Sequence, residues 1–136
     1  MLTTQCIHPQ IMATLAHCGH GSKILIADGN YPVKEKSGDA EKVYLGLSRG
    51  IPTATDVLSA LHTVVEFESA TVMTPNEGPE PEVFEEFRKE LNGMSLSTLD
   101  RYAFYEACME QGAVALAIST GEQRTFSCIL LTIACA

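Results

Sequence analysis

The chain has 136 residues, 46% of them hydrophobic, which is enough apolar material for one cored domain and too much for a disordered segment. Seventeen acidic residues against nine basic ones give a formal net charge of -8, and the basic residues are scattered, which argues against a nucleic-acid partner. The five cysteines, Cys6, Cys18, Cys108, Cys128 and Cys135, show no C-x-x-C spacing, so neither a metal site nor a redox motif is signalled.

In chain order, His8-Pro9 opens a helix with Pro where its missing N–H costs nothing, and Ile11, Met12, Leu15 and Ala16 form its apolar face. Gly19 ends it. Residues 23–28 read as a strand, 29–32 as a turn, and 34–41 as a polar loop. Val43, Leu45 and Leu47 alternate, which predicts a second strand broken at Gly50-Ile51-Pro52. Thr53 or Thr55 caps a helix through Val57, Leu58, Leu61 and Val64. Residues 67–74 read as a third strand, and a loop rich in Pro, Gly and Glu leads to a helix over 82–92, ended by Gly93. A short strand over 96–99 precedes Asp100, the cap of a helix with Ala103, Phe104, Ala107 and Cys108 along its apolar stripe. The run 113–120 is almost wholly apolar, as in a strand buried on both faces. A turn at 121–124 then leads to a last strand over 126–133. Helices alternate with strands, so the expected fold is a single α/β domain over 1–136, a three-layer α/β/α sandwich on a mostly parallel or mixed sheet.

Free thiols fit a reducing, cytoplasmic compartment. No apolar run reaches membrane-spanning length, and no basic region precedes an apolar one as in a secretory leader, so neither a membrane nor an export route is expected. Between 113 and 136 only Glu122 and Arg124 carry charge. A lone small domain would struggle to hide that much apolar chain, which predicts self-association.

Chemistry concentrates in four places. Gly19-His20-Gly21 sets an uncrowded imidazole, the side chain that titrates near neutrality, just before the first strand, with Asp28 at the far end of that strand. The same pattern is expected to bring base and carboxylate to one end of the helix–strand unit. It also reads as a helix C-cap and a tight turn with an incidental histidine. Arg101 lies in a first helical turn, where a cation meets the positive end of the dipole, so it is either held by a carboxylate, used on a ligand, or simply solvated. Tyr102 and Tyr105 flank it. Thr120-Gly121-Glu122 reads as a hairpin turn, and Thr125-Phe126-Ser127-Cys128 offers a hydroxyl and a thiol but no strong acid or base. His8, His17 and His62 fall in helices as solvated or capping residues.

Together Gly19-His20-Gly21, Asp28, the segment Asp100-Arg101-Tyr102-Ala103-Phe104-Tyr105-Glu106 and Thr120-Gly121-Glu122 resemble the D-ribose pyranase / L-fucose mutarotase family, in order and separation, across nearly the full chain. The Asp-Arg-x-Ala-Phe-Tyr segment is more similar to the fucose mutarotase branch. The resemblance implies a cofactor-free, metal-free isomerase of a monosaccharide, L-fucose type first. It implies rings, typically homodecamers, with sugar sites at subunit boundaries. It assigns the general acid/base to His20 and sugar binding to Asp28, Arg101 and the segment Phe126, Ser127, Cys128. The chain departs from the family there, where Tyr-x-Asn is usual, and in its apolar ending, Thr132 to Ala136. A transport-associated sugar binder of the same fold, without catalysis, is the alternative, and a purely structural ring protein is a second one.

Overall fold

The computed structural model describes residues 1–136 and contains four helices and one six-stranded sheet. The helices are α1 (Pro9–His17), α2 (Ala54–His62), α3 (Val83–Glu90) and α4 (Arg101–Met109). The strands are β1 (Lys23–Ala27), β2 (Glu41–Tyr44), β3 (Phe67–Met73), β4 (Leu96–Leu99), β5 (Leu116–Ser119) and β6 (Ile129–Ile133), ordered β2-β5-β1-β6-β3-β4. β1 and β2 both run parallel to β5, β3 runs parallel to β4, and β6 lies antiparallel between β1 and β3. Five strands therefore end at one edge of the sheet, and the sixth begins there.

Local side-chain caps start three of the four helices. The His8 ring accepts from the Ile11 N–H and Pro9 occupies the first turn of α1. Thr53, not Thr55, caps α2, and its capping box with Asp56 satisfies two orphan donors. Asp100 caps α4 by accepting from the Ala103 N–H at 2.9 Å. Two cores lie on the two faces of the sheet. Ile11, Leu58, Leu61, Phe84 and Phe87 from α1–α3 pack on Ile24, Ile26, Ile118 and Leu131. On the other face Phe104 and Cys108 of α4, with Tyr31 and Val33 of the loop after β1, cover Leu25, Ala117, Cys128 and Leu130. This is the expected three-layer arrangement on a mixed sheet.

Four expectations need correction. The alternation through Leu47 does not continue β2: the strand stops at Tyr44, and Leu47 is 81% exposed. Residues 126–128 are not strand, because Phe126 adopts φ 58 and β6 begins at Ile129. The turn after β5 is no hairpin, since β1 lies between β5 and β6 and the chain must cross over its end. Finally, most of the apolar stretch 113–136 is not surface: β5 and β6 are interior strands, and Leu116, Ala117, Ile118, Ile129 and Leu131 are wholly buried within one chain.

The pairing of β3 with β6 carries one irregularity. Ala70 of β3 faces Leu131 and Ser69 faces Thr132, but Phe67 faces Ile133. Glu68 is thus an extra residue, a β-bulge, and Glu68 and Ser69 are exposed in succession.

Candidate functional site

Ligands in open α/β sheets bind beyond the carboxyl ends of the strands, where the strand order reverses. Here that place is the end of β1, which has β5 on one side and the start of β6 on the other. Asp28 is the first residue past β1 and is buried. Its carboxylate accepts the N–H groups of Asn30 and Tyr31 on Oδ1, at 2.9 and 3.0 Å, and of Ser127 on Oδ2, at 3.1 Å. One acidic side chain thereby fixes both the turn after β1 and the crossover that carries 126–128. Each oxygen keeps acceptor capacity for a ligand hydroxyl.

The crossover is held on its other side by a buried carboxylate. Glu122 accepts from Ala54 N–H, at the start of α2, and from the backbone and guanidinium of Arg124 at 2.9–3.0 Å. Arg124 continues to Glu86 of α3, which also takes the Thr55 hydroxyl. Burial pushes the Glu122 carboxyl up, but its bonds to Arg124 and Ala54 outweigh that and hold it below its usual value; the Arg124 bond holds Glu86 low as well. Gly121 lets this turn pass: a Cβ there would collide with the carbonyl oxygens of Ser48 and Ile51.

Between these anchors lies a cavity of about 230 Å3 whose wall includes Asp28, Tyr31, Arg101, Tyr105, Phe126 and Cys128. Four of the residues singled out from sequence, Asp28, Arg101, Phe126 and Cys128, thus meet in one place. Arg101, at the start of α4, donates from Nε to the Tyr105 hydroxyl at 3.1 Å, and its guanidinium lies 5.6 and 5.8 Å from the ring centres of Tyr105 and Tyr102. Tyrosines rather than a carboxylate hold it, which leaves donors of its fork for a ligand. Tyr31 donates to the Lys36 carbonyl at 2.7 Å and packs edge-on against Tyr105 and Phe104. Sequence reasoning gave Tyr31, Tyr105 and Thr125 no firm role and passed over Asn30 and Met73, which also line the cavity. The Asx turn at Asp28-Gly29-Asn30 was the available signal for Asn30.

Ser127 does not line this cavity. Its side chain is fully buried, its Oγ lacks a hydrogen-bond partner, and its backbone N–H serves Asp28. Its contribution here is to hold the carboxylate.

The only carboxylate on the cavity wall is Asp28, whose oxygens already accept three backbone N–H groups. Burial, then the neighbouring Cys108, raises the Tyr31 phenol, and burial, then the Asp28 charge, raises the Cys128 thiol, so both stay protonated. None of the wall residues is a histidine. His20 stands at the opposite edge of the sheet: it precedes β1 while Asp28 follows it, and β1 alone spans about 16 Å at roughly 3.3 Å per residue. The expectation that both groups share one end of the helix–strand unit is therefore wrong within one chain, because an extended strand separates what the sequence places eight residues apart. His20 is half-exposed, in a turn pinned by the Gly21 N–H on the Ile133 carbonyl, with Nε2 2.9 Å from Glu68 Oε2.

The sequence profile described as the RbsD / FucU transport protein family matches residues 1–136. D-ribose pyranase of Clostridium novyi (strain NT) is 25% identical over 131 residues, covering 96% of this chain and 95% of that one. Among solved structures, Bacillus subtilis RbsD complexed with D-ribose superposes with a TM-score of 0.85 at 20% identity, covering 100% of this chain and 99% of that one. The fucose mutarotase of Streptococcus pneumoniae in complex with L-fucose superposes with a TM-score of 0.82 at 21% identity, with the same coverage. At these identities the two structures establish the shared α/β fold.

Proposed function

This chain belongs to the RbsD / FucU transport protein family, and from that premise we propose that it is a monosaccharide mutarotase working by general acid/base ring opening. Ring opening takes a proton from the anomeric hydroxyl and gives one to the ring oxygen; the open-chain aldehyde then recloses on either face. It is redox-neutral and its demands are proton transfers, so no cofactor is called for. His20 supplies the acid/base, since an imidazole near neutrality serves both directions, and such catalysis contributes about 10²–10⁴-fold. Asp28 and Arg101 hold sugar hydroxyls, Phe126 covers one face of the ring, and Cys128 sits where the family usually has an amide. Ser127 acts through its backbone on Asp28.

The observation that carries this reading is the division of the site between the two edges of the sheet. The cavity can bind a small polyol but has no imidazole on its wall, and His20, exposed in its glycine turn, lies too far away to reach it. The site is complete only where a second copy presents its His20 to this cavity. That supports sugar sites at subunit boundaries in a closed ring, a homodecamer as in the resemblance, formed from one domain over 1–136. The volume, below the roughly 300–1,000 Å3 of drug-sized sites, suits a single sugar ring. L-fucose-type sugars are the first choice because Arg101 and Tyr105, from the fucose-type segment, form one wall. D-ribose is the second, because the curated relative named above is a ribose pyranase. No helix is long and apolar enough to cross a membrane, and the five free thiols support a cytoplasmic setting.

The test is NMR saturation transfer between anomers of fucose, galactose and ribose. Wild-type protein should accelerate exchange of at least one, and His20→Asn should slow it at least tenfold with the fold intact. Binding without acceleration would identify a sugar carrier instead; unchanged exchange in His20→Asn would remove His20 from the reaction.

A further inference from the structure

We propose that Glu68 is the positioning residue of His20, holding the ring by Nε2 so that Nδ1 is the atom that exchanges protons with the sugar. This rests on the reading of His20 as the acid/base.

Three independent features of the structure converge on this pair. The first is the contact itself, Nε2 to Oε2 at 2.9 Å between residues 48 apart in sequence. The second is the bulge. A regular β3 would alternate its side chains across the sheet, and the register on either side of Glu68 shows one residue too many. Bulges re-aim a side chain, and this one leaves two successive side chains exposed, with Glu68 turned to the His20 turn. The third is the rigidity of the turn. Gly21 adopts φ 88, its N–H bonds the Ile133 carbonyl at 2.9 Å, and the Ser22 hydroxyl accepts from the Gly19 N–H at 3.1 Å. Ile133 is also the residue facing Phe67, next to the bulge. The strand end that fixes the histidine turn is thus the one against which β3 bulges, so imidazole and carboxylate are placed by a shared piece of backbone.

The chemistry of the pair is directional. An ionised carboxylate only accepts, so the nitrogen that faces it carries the proton, and in a neutral imidazole the other nitrogen then holds the lone pair. Nδ1 makes no hydrogen bond within the chain and remains for the anomeric hydroxyl. When Nδ1 takes that proton, the imidazolium gains an adjacent negative partner. Glu68 touches the ring, not the substrate.

The experiment combines kinetics with ring-nitrogen spectra of the full-length protein. Glu68→Ala should lower the exchange rate at saturating sugar about tenfold while KM changes less than about twofold. In the His20→Asn background the same change should have no further effect. In 15N spectra of the neutral imidazole, wild type should show Nε2 protonated and Nδ1 bare, and Glu68→Ala should move both signals toward averaged values. Glu68→Gln, which keeps size and loses charge, serves as the second variant if Glu68→Ala folds poorly, and it should shift the same signals. Unchanged ring signals, or an equal loss of rate with and without His20, overturns the proposal. The spectra read the pair even in a protein that turns over no sugar, whereas His20→Asn alone tests the acid/base reading, so the two can fail separately.

Discussion

Phe126 occupies the left-handed region of backbone space, at φ 58, on the wall of the cavity. A bulky residue held there costs energy and marks a position the surroundings over-determine, here through the Ser127 N–H on Asp28. The aromatic face is retained, while the hydroxyl of the family's usual tyrosine and the amide of its asparagine are not. Cys128 is a weak donor and acceptor, and its Sγ already accepts from the Asp28 N–H at 3.5 Å. Each net hydrogen bond is worth about 0.5–1.5 kcal/mol, so two missing groups predict weakened fucose handling or a shifted preference. Phe126→Tyr with Cys128→Asn should raise fucose exchange several-fold, measured by saturation transfer in a variant that keeps its assembly. A neutral or lower rate would mean that Tyr31, Tyr105 and Arg101 have taken over recognition.

At the scale of elements, the crossover from β5 to β6 is the structural hinge of the site. It runs over the end of β1, is tied to α2 and α3 through Glu122, Arg124 and Glu86, and delivers residues 126–128 to Asp28. Glu122 is 3% exposed and satisfies two backbone donors, Ala54 and Arg124, besides the Arg124 guanidinium. Glu122→Gln should destabilise the fold by about 1–3 kcal/mol, read from denaturant midpoints, because it leaves Arg124 and a buried N–H short of charge. The acid dependence follows from the direction of the shifts. Glu122 and Glu86 both titrate below the ordinary 4.5 when folded. Their stabilisation is therefore complete above that value and is lost as pH falls through the lowered folded values. Wild type should lose stability steeply in that window, and Glu122→Gln should lose less. Parallel pH profiles for the two proteins would count against this network as the source.

For the whole molecule, the proposed function requires that one copy supply the cavity and another the His20 of each site. Closed rings repeat one boundary, so every boundary would carry one cavity and one His20. Light scattering should give a closed oligomer at micromolar protein. Mixed rings of His20→Asn and Arg101→Ala chains, each nearly inactive alone, should regain activity at about a quarter of their boundaries, where each chain supplies what the other lacks. A monomer mass, or no recovery on mixing, would refute the shared site.

The sequence by itself determined the order of helices and strands, the caps of the first and last helices, and part of the list of chemical residues, while strand ends, the choice between Thr53 and Thr55, and Glu68 escaped it. Pro9, Thr53, Asp100 and the glycines that end helices act within a few residues, and periodicity reports burial along one element, so both are legible locally. The family likewise followed from ordered short motifs, His20, Asp28, Arg101 and Thr120-Gly121-Glu122 among them. The tertiary structure decided what is near what. Only the strand order shows that β1 separates β5 from β6, turning an expected hairpin into a crossover. Only the extended length of β1 shows that His20 and Asp28 lie at opposite edges. Glu68 reaches His20 across 48 residues through a one-residue bulge. Contacts of that kind depend on register and topology, which are set by pairing between distant strands, and no local pattern of side chains encodes them.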